Sequence, residues 1–72
     1  MNVNDKLRQD MLNFFMQIRT INSFRDEFPN YTDQEVRDMR QALIRSEDLK
    51  EVWGQTQAKR YQTTRFGRMK LD

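Results

Sequence analysis

Two of the most versatile side chains in protein chemistry are missing from this sequence: it has no cysteine and no histidine. Without cysteine there is no disulfide staple and no thiolate metal site. Without histidine the commonest metal ligand and the commonest general base are gone. Glycine is nearly absent, with two residues, and proline occurs once, so there is no phosphate-cradling loop and no Gly- or Pro-rich linker. No run approaches the roughly 20 apolar residues of a membrane span. Residues 1–10 are polar and mixed in charge, unlike a secretory leader. The expectation is a cytoplasmic protein, or a virion component if it comes from a phage, with no membrane partner.

What remains is charge, spread over a short chain. The 72 residues are 33% charged and 36% apolar, which allows one domain with a small core. Such a chain gains much from association, so a protein partner or a homo-oligomer is expected. The net charge of +2 is unevenly distributed. Residues 1–45 hold seven basic and seven acidic side chains, whereas residues 57–72 hold Lys59, Arg60, Arg65, Arg68 and Lys70 against Asp72 alone.

The strongest pattern lies between Leu7 and Phe28. Leu7, Met11, Phe14, Ile18, Ile21 and Phe28 follow a heptad spacing that places an apolar seam along one side of a helix. Arg25 interrupts the seam at a core position. Leu12, Phe15 and Met16 lie off it, so the helix is apolar on more than one face and needs more than one cover. The spacing predicts a helix from Asp5 to Glu27, stopped at Phe28 because Pro29 disfavours helical geometry before it. A second start signal follows. Thr32-Asp33-Gln34-Glu35 reads as a capping box, with Tyr31 and Val36 placed for a hydrophobic staple. The second helix presents Val36, Met39 and Leu43, after which the apolar stripe rotates through Leu49 and Trp53. An interruption near Ser46 fits that rotation better than one helix running to Arg60.

The expected fold is therefore all-α: an antiparallel helical hairpin over residues 1–58, its second helix either continuous or split near Ser46 into a second and a third, followed by a basic, largely irregular tail over residues 59–72. Catalysis has no support. The carboxylates cluster at helix ends, where capping and the helix dipole account for them, and no spacing suggests a metal or cofactor. Two binding surfaces stand out instead. Leu12, Phe15, Met16 and Trp53, with Phe66 and Met69 in the tail, form the expected protein interface. Lys59, Arg60, Tyr61, Arg65, Arg68 and Lys70 combine charge with a ring suited to nucleic acid or an acidic surface. The leading expectation is a non-enzymatic interaction protein, an assembly component or small inhibitor of the kind common among bacterial and phage accessory proteins. The alternative is a small nucleic-acid-binding regulator that uses the tail.

Overall fold

The first helix ends a full turn before the second half of its heptad seam begins. In the computed structural model, which describes residues 3–21, 23–52 and 59–71, helix α1 spans Val3–Phe14. Beyond it the chain turns at Phe15 and Met16, bends at Gln17 and Ile18, and enters a single β-bridge at Arg19. The residues there explain the change. Ile18, Thr20 and Ile21 are β-branched and favour extended backbone, and Ser23 caps a new short helix, α2, over Phe24–Glu27. Its hydroxyl accepts the Asp26 amide at 3.4 Å.

Helix α3 spans Asp33–Arg45 and opens on the capping box read from the sequence. The Glu35 amide donates to the Thr32 hydroxyl at 3.1 Å, and the Thr32 amide donates to the Glu35 carboxylate at 2.9 Å. Val36, Met39 and Leu43 are its buried residues. The interruption at Ser46 is present, but Ser46 ends α3 and does not start another helix. The stop is a Schellman motif: the Asp48 amide reaches back to the Leu43 carbonyl at 2.9 Å and the Glu47 amide to Ile44 at 3.1 Å. Glu47 occupies the left-handed position with φ 65°, where glycine is usual. Glu47→Gly should therefore stabilise the protein, by about 0.5–1 kcal/mol, since the relief of strain exceeds the added chain entropy. Urea unfolding checks this; an unchanged or lower midpoint would count against the motif.

Strands take the place of the expected third helix and irregular tail. Strand β1 (Leu49–Val52) pairs antiparallel with β2 (Arg60–Thr63), in the register Leu49 to Thr63 and Val52 to Arg60. On its other edge β2 pairs with Arg19: the Tyr61 amide donates to the Arg19 carbonyl at 2.9 Å, and Arg19 returns the bond at 3.2 Å. A short helix, α4 (Arg65–Arg68), follows, capped by Thr64. The fold is mixed α and β, not an all-α hairpin. The physical reason is the period of the segment Arg60-Tyr61-Gln62-Thr63, in which Tyr61 and Thr63 alternate inward, as a half-buried strand requires.

β2 organises the core. Leu7, Met11, Leu12, Phe15, Phe28, Val36, Met39, Leu43, Leu49 and Tyr61 form one buried cluster. The open end of α1 is closed by Thr63, whose amide donates to the Phe15 carbonyl at 2.8 Å and whose hydroxyl donates to the Leu12 carbonyl at 2.6 Å. These bonds satisfy carbonyls that a helix end leaves free. Phe15 stacks edge-on against Tyr61 and Phe14. The Arg40 guanidinium lies between Phe24 and Tyr61, 5.8 and 5.3 Å from their ring centroids, and so ties α2 to the sheet.

One polar tie joins α1 to the start of α3. The Tyr31 hydroxyl donates to Asp10 at 2.8 Å. Desolvation, reinforced by that bond and the Asp10 charge, pushes the Tyr31 pKa up from 10 to about 12. The folded state thus holds this proton more tightly than the unfolded chain. The stabilisation is complete below pH 10 and is lost as the pH rises from 10 through about 12. Unfolding midpoints across that window should fall more steeply for the wild type than for Tyr31→Phe; parallel curves would show that the bond contributes nothing.

Candidate functional site

The connection from α2 to α3 is a five-residue turn, Phe28 to Thr32. Pro29 and Asn30 bend the chain there, and the capping box restarts it. Helix α2, a single turn of four residues, is joined to α3 by this short stretch, and the antiparallel β1–β2 pair follows α3.

The outer side of α3 is polar and uncovered. Gln34, Arg37, Asp38, Gln41 and Arg45 are all exposed, and their spacing of three and four residues sets them along one ridge. The Gln34 amide group donates to Asp38 at 2.8 Å, and the Arg37 guanidinium lies 5.3 Å from the Phe24 ring centroid. Arginine and glutamine are the side chains best shaped to read guanine and adenine in the major groove. Arg25 on α2 is exposed as well.

The hairpin adds cations. The register puts Lys50 opposite Gln62 and Val52 opposite Arg60, on the sheet face away from buried Leu49, Tyr61 and Thr63. Lys59 is exposed just before β2. The Nε of Arg60 is buried without a hydrogen-bond partner. None of Arg37, Arg45, Lys50, Lys59 or Arg60 forms an ion pair among the described residues.

The residues singled out from the sequence fall into different places. Leu12 and Phe15, expected on an outward interface, are fully buried inside this chain, and Met16 is half-buried. The surplus apolar surface of the first helix is thus covered by β2 and by Gly67 of α4, whose neighbours include the Leu12 side chain. Trp53 lies outside the described residues. Tyr61, expected to stack on bases, is a core residue at 6% exposure. Arg65 and Arg68 are exposed on α4, and Phe66 and Met69 are exposed with them. Lys70 is engaged, donating to the buried carboxylate of Asp48 at 2.7 Å.

The sequence reading assigned no binding surface to Gln34, Arg37, Gln41, Arg45 or Lys50. The signal was present in α3, as the polar complement of the Val36, Met39 and Leu43 stripe. Without the turn and the hairpin it resembles any solvated helix face. Among the described residues no acidic cluster can hold a metal ion, and no helix is long and apolar enough to cross a membrane. No protein family, curated protein or solved structure matches the chain.

Proposed function

We propose that this protein is a non-enzymatic nucleic-acid-binding module that docks α3 in the major groove of duplex DNA. The observation that carries the reading is the order α2, turn, α3, hairpin, with the polar ridge of α3 left open to solvent. In helix-turn-helix proteins the second helix enters the groove and its first residues meet base edges, while the first helix crosses the backbone. In this chain Gln34, Arg37 and Gln41 take the reading positions. Arg25, Lys50, Lys59 and Arg60 supply phosphate contacts, which fix register without reading sequence. The likeness is one of topology, and the side chains carry the chemistry.

The charge on the ridge is mixed, which sets how binding should behave. Asp38 faces the same side as Arg37 and accepts a bond from Gln34. Binding to arbitrary sequence should therefore be weak, and Asp38→Asn should strengthen it. Salt titration of duplex DNA retention is the test. Four cations near phosphate would give a log–log slope of about −4. Arg60→Ala should lower that slope by about 1, and Arg37→Ala should relax sequence preference at a cost of about 1–3 kcal/mol. No retention at low salt, or retention indifferent to both changes, would sink the reading. A docking role for Leu12 and Phe15 has less support, because exposing them would open the core.

A further inference from the structure

We propose that α4 and the turn after α3 form a docking face for an acidic protein segment that carries a large apolar side chain. This function does not depend on the α3 ridge, and shares with the proposed DNA contacts Lys50 alone.

The first observation is that α4 is packed the wrong way round for a helix whose role is to fill a core. A core-facing helix turns its apolar side chains inward. Here only Gly67 is buried, while Phe66 is 49% and Met69 80% exposed. The second is how α4 is held. The Thr64 hydroxyl donates to the Glu47 carbonyl at 2.6 Å, Lys70 donates to Asp48 at 2.7 Å, and the Gln9 amide group donates to the Lys70 carbonyl at 2.8 Å. The Thr64 amide adds a bond to the Asp48 carbonyl at 3.0 Å. Polar tethers, with Leu71 packed against the core, thus fix the segment and leave Phe66 and Met69 exposed, the Phe66 ring 5.5 Å from the Arg65 guanidinium. A face fixed in advance loses little freedom on binding, which favours affinity.

Shape and charge then name the occupant. One cleft of about 440 Å³ is lined by Ser46, Glu47, Asp48, Phe66, Met69 and Lys70. A second, of about 550 Å³, opens beside Phe66 and includes Lys50, Arg65 and Arg68. Either has room for a leucine- or phenylalanine-sized side chain. Around the apolar pair stand Lys50, Arg65, Arg68 and Lys70, against exposed Glu47. The Asp48 carboxylate is 3% exposed and already paired with Lys70. A second copy of this face would set Lys50, Arg65 and Arg68 against their own counterparts, a costly juxtaposition. An acidic rim around an apolar anchor complements it.

Selection from a displayed library of random peptides tests this on the full chain. Enriched peptides should combine Asp and Glu with Leu, Ile, Phe or Met. They should bind about tenfold more weakly to the double variant Phe66→Ser, Met69→Ser, and to Arg65→Glu, Arg68→Glu. The second variant keeps the test decisive if the first does not fold. Duplex DNA retention should survive the first variant unchanged. The proposal is overturned if the enriched peptides are not acidic, or if they bind all variants equally. It is also overturned if the serine variant abolishes DNA binding, which would give the face to nucleic acid, or dissociates a dimer in sedimentation, which would give it to a second copy.

Discussion

Phe15→Ala is expected to lower the free energy of unfolding by about 3–5 kcal/mol. Phe15 has no exposed surface, and its ring lies 4.9 Å from Phe14 and 5.7 Å from Tyr61 between centroids, both edge-on. Truncating a buried phenylalanine removes its transfer free energy and leaves a cavity, at a cost of about 3–5 kcal/mol. A 72-residue domain has roughly 4–11 kcal/mol in total. The loss is therefore a large fraction of what exists. It also falls where the end of α1 and strand β2 meet, because the Phe15 carbonyl accepts the Thr63 amide, so the cavity weakens both elements at once. Circular dichroism with urea titration reads the effect. A cooperative transition near the wild-type midpoint would mean that Phe15 lies outside the core and is free to face a partner.

Gly67→Ala should be the most damaging of the single-methyl changes. Among the described residues no glycine has positive φ, so conformational freedom is not the reason; space is. A Cβ at this position would collide with the Asp48 carbonyl oxygen and lie 2.8 Å from Thr63 Cγ2 and 3.0 Å from Leu12 Cδ2. In an exposed helix the same change would gain about 1 kcal/mol from helix propensity. Here the nearest obstacle is backbone, which cannot rotate aside, so the sign reverses. The expected loss is about 1–3 kcal/mol, with α4 displaced from the turn after α3. Hydrogen exchange should show lost protection of the Arg68 amide, which donates to Thr64, before the sheet amides respond. A stabilised Gly67→Ala protein would show that α4 does not sit against Asp48.

The parts of the fold legible in the sequence are those whose determinants are local. Thr32 and Glu35 cap α3 by reaching three residues along the chain, and Pro29 stops the helix pattern before it. The parts that were not legible depend on distant partners. The α1 stop has no glycine or proline; its carbonyls are satisfied by Thr63, 51 residues from Leu12. The α3 stop uses Glu47 in a place where glycine would have announced it. The Ser23 cap was hidden because the heptad spacing continues through it as far as Phe28. For the functional surfaces the same division holds. The exposed apolar residues of α4 and the tail cations were visible as composition, but the α3 ridge acquires meaning only from the turn before it and the hairpin after it.

The position of β2 between β1 and Arg19 also governs the order in which the molecule can assemble. Until residues 60–63 are available, α1 has an open carboxyl end, the Phe15 ring lacks Tyr61, and the sheet has no middle. The local pieces, α3 with its capping box above all, can form early. Joining them requires closing a loop of about 50 residues, and the entropic cost of that closure slows folding. During that interval Leu12 and Phe15 are open to other chains, the exposure that makes slow-closing folds prone to aggregate. The surface that the finished protein hides best is thus the one its nascent chain displays longest.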